Sequence, residues 1–246
     1  MKNPEISSSR LLPDEARLVC AFSHRQLGNV SLFYGDTKNA LSNRERFLTP
    51  LDVDYRDLVC AKQIHSDGIW HVTEQDKGRG ALSYEASLAH TDALITDTKK
   101  LPLAVFTADC LSVFLFDPIK PAIGLVHAGW RGSKEHITLK TVQRMQEVFR
   151  TDPFSLRVSF GPAIGACCYE INQETSSYFT EGLVKRNNRT YLDLVAVNRI
   201  DLQDAGVKSD NLVEDSICTS CYNDDFFSYR KEGKTSGRIM SVMMLR

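Results

Sequence analysis

Four apolar segments crowd into residues 91–128: TDALITD, LPLAVFT, LSVFLFD and AIGLVHA, separated only by brief breaks. Each is too short to bury a helical stripe and is rich in branched and aromatic residues, so each reads as a well-buried strand. They set a β core. Residues 133–150, SKEHITLKTVQRMQEVFR, then change period: Ile137, Thr141, Met145, Val148 and Phe149 fall on one helical face, and Ser133 can cap the start. Further strands are predicted over 18–22, 58–64, after the Ser-Asp-Gly turn at 66–68, and over 238–245. Helices are predicted over 36–49, as a surface helix carrying Arg44, over 172–182, and over 192–205, ended by Gly206. Residues 75–90 are polar, Gly-containing and poorly periodic, the pattern of a long loop. With no internal repeat and no Pro-, Gly- or Ser-rich linker, residues 1–246 read as a single domain of mixed α and β structure.

A chain of 246 residues is long enough for a substantial core, and its net charge of −1 builds no basic field for nucleic acid. The opening MKNPEISSSR lacks the apolar run of a signal peptide, and no stretch is apolar enough for a membrane span, so the expected location is cytoplasmic. Seven cysteines, an odd count without a secretion signal, argue for thiols rather than a disulfide scaffold.

His65, Cys110 and His127 each lie beside a turn at the end of an apolar strand, in KQIHSDG, TADCLSV and GLVHAGWRG. Two imidazoles and one thiolate suit zinc with a fourth position open. The long intervals between them form no local motif, and a buried packing thiol with two surface histidines explains the same residues. A third reading makes Cys110 a nucleophile with His127 as base. Arg131, between two glycines, can meet a phosphate in a bidentate manner or hold its turn through an ion pair. Arg44, Arg230 and Arg238 make weaker cases taken singly. Cys218 and Cys221 form a single Cys-x-x-Cys, and the adjacent Cys167 and Cys168 are poorly spaced to complete a tetrahedron. Packing or pocket lining is the expectation for these four.

KQIH, DALITD, TADCLSVFLFD, HAGWRG, GPAIGACCYE, CTSC, FFSYR and TSGRIM occur in this order over nearly the whole chain. Together they resemble the laccase-domain, polyphenol oxidase-like family, whose members have been reassigned as zinc-dependent purine nucleoside phosphorylases. The resemblance implies an α+β single domain of mixed β-sheets flanked by helices, with the active site at the sheet edge and zinc on His65, Cys110 and His127. It implies phosphorolysis of adenosine, inosine, guanosine or methylthioadenosine, with adenosine deamination as a second reaction and with purine nucleosides and phosphate, rather than nucleic acid or membrane, as partners. Arg25, Arg44, Arg131, Phe227 and Arg230 become the expected substrate-binding residues. Arg25 sits in SHRQLGNVS, where family members carry Thr-Arg followed by paired glycines. Phe226, Phe227 and Tyr229 can stack on a purine or fill the core. The His-x-Glu and Pro-Cys-x-x-Cys pattern of cytidine deaminases is absent, so deamination would need Asp109 or Glu170 as acid–base. Asp109 can equally orient a histidine. Copper is the alternative metal, although multicopper oxidation asks for more histidines than six scattered ones readily provide.

Overall fold

Strands Leu111–Asp117 and Ala122–Ala128 form an antiparallel hairpin at the centre of a six-stranded sheet. Its strand order is Leu212–Val213, Arg157–Phe160, Leu111–Asp117, Ala122–Ala128, Ala93–Thr96, Ile69–His71. The structure, a computed structural model, describes residues 6–8, 17–213 and 217–246, so most of the polar opening segment lies outside it. A second sheet has the order Ile6–Ser8, Leu18–Ser23, Ile239–Leu245, Leu103–Thr107, Val59–Cys60. The four crowded segments are all strands, but Leu103–Thr107 crosses into this second sheet.

Why those segments are apolar on both sides follows from the packing. Phe114 and Phe116 join Leu103, Val105, Ile239 and Met243 in a core shared by the two sheets. Leu111, Val113 and Leu115, alternating with them along the same strand, face Ile137, Val142 and Met145 of helix Ile137–Phe149. On the far side, Val19, Ala21, Met240 and Val242 of the second sheet pack against Phe47 and Leu48 of helix Thr37–Leu48. The order of layers is helix, sheet, sheet, helix, so the middle strands have no solvent face.

Helix Thr37–Leu48 begins where Asp36 accepts the amide of Asn39 and, as expected of a surface helix, exposes one face, but Arg44 does not lie on that face. Arg44 is buried on its inner face. Its guanidinium donates to the carbonyls of Val30, Gly80 and Ala81 at 2.9, 3.0 and 2.8 Å and lies over the Phe106 ring. Arg44 thereby pins the long loop of residues 75–90, which contains short 3-10 turns and a single bridge from Leu88 to Ala61.

The predicted helix over 133–150 divides into Trp130–Lys134 and Ile137–Phe149, with His136 between them in the left-handed region at φ 57°. Ser133 caps nothing: it is buried and accepts a 2.8 Å hydrogen bond from Asn198 of helix Leu194–Asp204. The expected helix over 172–182 is only one turn, Gln173–Ser176, and is followed by the hairpin of Leu183–Arg186 and Arg189–Leu192. Asn187 and Asn188 both have positive φ, which makes the tight turn that a hairpin of this hand needs. The helix expected over 192–205 runs from Leu194 to Asp204 with Asp193 as its cap. Among the described residues, no helix is long and apolar enough to cross a membrane.

Candidate metal centre and substrate cavity

Register brings the three predicted ligands together. Leu111 pairs with Ala128, so Cys110 and Gly129 lie side by side at one end of the central hairpin. Ala93 pairs with Val126, and one step further Asp92 accepts the amide of His127 on its backbone oxygen. His65 stands in the turn before Ile69–His71, with φ 63°, and its own amide donates to the Asp92 carboxylate at 3.0 Å. The ligand atoms of His65, Cys110 and His127 all lie within 4.8 Å of one another. The two imidazole rings meet edge to face with centroids 4.8 Å apart.

Asp92 organises this centre, and the sequence reading had passed over it. Its buried carboxylate accepts from Nδ1 of His127 at 2.8 Å, from the Ser66 hydroxyl, and from the amides of Ile64, His65 and Ser66. With Nδ1 of His127 so occupied, Nε2 remains as its ligand atom. Burial works against the charged carboxylate, but His127 and Ser66 outweigh it and hold Asp92 below the ordinary carboxylate range. Burial likewise opposes a Cys110 thiolate, yet the His127 charge and hydrogen bonds from both histidines bring the thiol down to about 6. Against its own burial, His127 is raised to about 9 by the Cys110 thiolate and by Asp92. The thiolate, the form that ligates metals, is therefore favoured near neutral pH.

Gly129 keeps the centre open. A Cβ there would lie 2.9 Å from the Cys110 sulfur and 3.1 Å from Cδ2 of His65. Gly129→Ala is expected to weaken metal binding about tenfold or more by displacing two ligands, with little change in melting temperature. Competition against a chromophoric chelator measures this directly; an unchanged affinity would mean that the turn relaxes freely.

The centre lies in the wall of a cavity of about 610 Å³. Arg131, Arg230, Arg44 and Asp109 also line it. Arg131 is exposed, its guanidinium 4.3 Å from the Trp130 ring centroid, and among the described residues it has no ion pair, in contrast to the turn-holding ion pair weighed from sequence. Arg230 donates from its side chain to the carbonyls of Cys168 and Glu170 at 3.2 and 3.0 Å. Asp109, at φ 87°, accepts the Thr219 hydroxyl at 2.7 Å and the Arg230 amide at 2.6 Å. Both of its oxygens thus fix neighbouring segments. Glu170 is ion-paired with Arg189.

Arg25 and Phe227 are not among the residues that line the cavity. Arg25 is paired with Glu232 at 2.5 Å and lies over the Phe227 ring, which is buried, as is Phe226. Tyr229 does reach the cavity, and so does an aromatic group the sequence reading missed: Phe33 with Tyr34 and Tyr84, at centroid distances of 4.6 and 4.7 Å. The signal was SLFYG, two neighbouring aromatics in a loop segment with no apolar run around them.

The family profile described as multi-copper polyphenol oxidoreductase laccase matches residues 21–246. The chain belongs to this family. Within the laccase family it is 32% identical over 225 residues to the purine nucleoside phosphorylase YlmD of Geobacillus stearothermophilus, covering 87% of this chain and 82% of that relative. It is 33% identical over 212 residues to the adenosine deaminase RL5 of an unknown prokaryotic organism, covering 82% of this chain and 80% of that one. The laccase-family fold is equally clear from the crystal structure of the Bacillus licheniformis hypothetical protein YfiH, with a TM-score of 0.92 and 30% identity over 97% of both chains.

Proposed function

We propose that the protein is a zinc-dependent purine nucleoside phosphorylase that cleaves adenosine, inosine, guanosine or methylthioadenosine with phosphate, and that adenosine deamination is a side reaction. The observation carrying this reading is the convergence of His65, Cys110 and His127 in the wall of a cavity that also holds Arg131 and an aromatic group. The donor set fits zinc: two imidazoles, one oriented by a carboxylate, and one thiolate are the nitrogen and sulfur ligands zinc takes, and three of them leave a fourth position open. When bound, zinc supplies Lewis-acid polarisation of a phosphate oxygen, or an activated water for hydrolysis.

The chain's own residues do the rest. Arg131, which has no ion pair among the described residues, offers a fork of donors to phosphate. Phe33, Tyr34 and Tyr84 present ring faces suited to a purine, and holding base and phosphate in one enclosed space supplies the orientation a bimolecular displacement needs. Asp109 acts by position, keeping Arg230 and the turn before Cys110 in place.

The copper-oxidase reading fares less well on residues alone. Among the described residues, one cluster of potential ligands contains histidine, and it contains two. Four-electron oxygen chemistry needs a larger histidine set. The cysteine-hydrolase reading uses the Cys110–His127 pair but leaves the convergent His65 without a role. Incubating the protein with adenosine, with and without phosphate, separates the remaining outcomes. Adenine and ribose 1-phosphate formed only with phosphate is the expected result. Inosine as the main product would make deamination the principal reaction, and phenol turnover without nucleoside turnover would overturn the proposal.

A further inference from the structure

Four other cysteines converge where the sequence suggested packing or pocket lining. Cys167 and Cys168 occupy the turn after GPAIGA, and Cys218 and Cys221 the CTSC turn; the two segments are joined by a parallel bridge between Ala163 and Cys218. All four sulfurs lie within 4.8 Å of one another, with Cys221 at 3.4 Å from Cys167 and 3.5 Å from Cys168. Thiolates held tetrahedrally at about 2.3 Å from a zinc ion are separated by about 3.8 Å, inside the range spanned here. The adjacent pair reaches one point because its turn is helix-like: the amides of Cys168 and Tyr169 both donate to the Gly165 carbonyl. Successive side chains in such a turn point to neighbouring directions, whereas in a strand they would point to opposite faces.

Backbone donors converge on the Cys218 sulfur. The amide of Gly165 donates to the Cys218 sulfur at 3.3 Å, and the Cys221 amide donates to the same atom. Amide donors to the first cysteine of a Cys-x-x-Cys turn are the kind of outer support that metal-bound sulfurs receive. Arg186 grips the carbonyls of Ala166 and Cys167 at 2.8 and 2.6 Å, and Arg230 that of Cys168, placing two cations beside a cluster that would carry excess negative charge. Cys167 and Cys221 are exposed, which leaves a route for an ion. A disulfide would join sulfurs in pairs, whereas here Cys221 approaches both members of the adjacent pair equally and all four close on one point.

We propose that Cys167, Cys168, Cys218 and Cys221 form a second, structural metal site, a tetrathiolate centre for a soft divalent cation such as zinc. The site shares no residue with the His65–Cys110–His127 centre. Its place in the fold gives it a purpose. Thr219, inside the CTSC turn, holds Asp109 beside Cys110, and Tyr169, next to Cys168, lines the cavity. An ion on the four sulfurs locks together the two segments that build this side of the cavity.

The test uses the full chain purified under reducing, oxygen-free conditions. Elemental analysis should find about two zinc ions per wild-type chain, and about one in Cys110→Ser and in the double variant Cys167→Ser/Cys221→Ser, whose positions are exposed. Cobalt loading of Cys110→Ser should give the strong thiolate-to-metal charge transfer and visible bands of a tetrahedral tetrathiolate ion, and adding Cys167→Ser and Cys221→Ser to that variant should abolish them. The wild-type spectrum is read alongside, so poor folding of a variant does not decide the matter. Metal content equal in wild type and double variant, or mass spectrometry showing these four cysteines joined in disulfides, would overturn the proposal.

Discussion

Alanine in place of Cys110 is expected to lower phosphorolysis by about a thousandfold or more, since losing a metal centre forfeits several kcal/mol of transition-state stabilisation. The side chain is small and only partly buried, so the fold should survive: its neighbours are Gly129 and two imidazoles, not the core between the sheets. The thiolate, together with Asp92, holds His127 at about 9, so the variant histidine should titrate lower. Proton NMR of the His127 ring in metal-free protein reads that change independently of turnover. Full activity in Cys110→Ala would remove the thiolate from the account altogether.

Asparagine at position 92 is expected to be nearly as damaging, for a different reason. Oδ1 of Asp92 accepts from the His65 amide and from Nδ1 of His127, and Oδ2 from the Ile64 and Ser66 amides and the Ser66 hydroxyl. Whichever way the new amide turns, its NH2 group faces donors in a fully buried position. The expected cost is about 3 kcal/mol of stability, read as a shift in the urea midpoint. Metal affinity should fall about 10–100-fold, because one ligand loses its orienting carboxylate and the other its turn. A variant with unchanged midpoint and unchanged affinity would show that Asp92 is incidental to both.

The β core was legible because its middle strands are buried on both faces and therefore leave apolar runs that survive any error in register. The three candidate ligands stood out for a related reason: each interrupts such a run at its end, where a polar, chemistry-bearing residue has no packing purpose. Asp92 stands at a strand end too, but its importance depends on Ala93 pairing with Val126, and pairing is not written in either segment alone. Arg44 misled because an arginine inside a helical pattern signals solvent. Three carbonyls from segments 14 to 37 residues away reverse that signal. Arg25 and Phe227 illustrate the opposite case: they were assigned to substrate through resemblance, and the fold stacks them on each other beside Glu232. The cysteine cluster was dismissed on spacing that holds for a strand and fails for a helix-like turn.

The central claim is that His65, Cys110 and His127 hold the ion on which nucleoside cleavage depends. Stripping the protein with a chelator, restoring zinc or copper, and following ribose 1-phosphate formation from adenosine and phosphate tests it most directly. The stripped protein should be inactive and recover with zinc, and Cys110→Ala should not recover under the same treatment. Undiminished phosphorolysis by the metal-free protein, or equal recovery in Cys110→Ala, would contradict it.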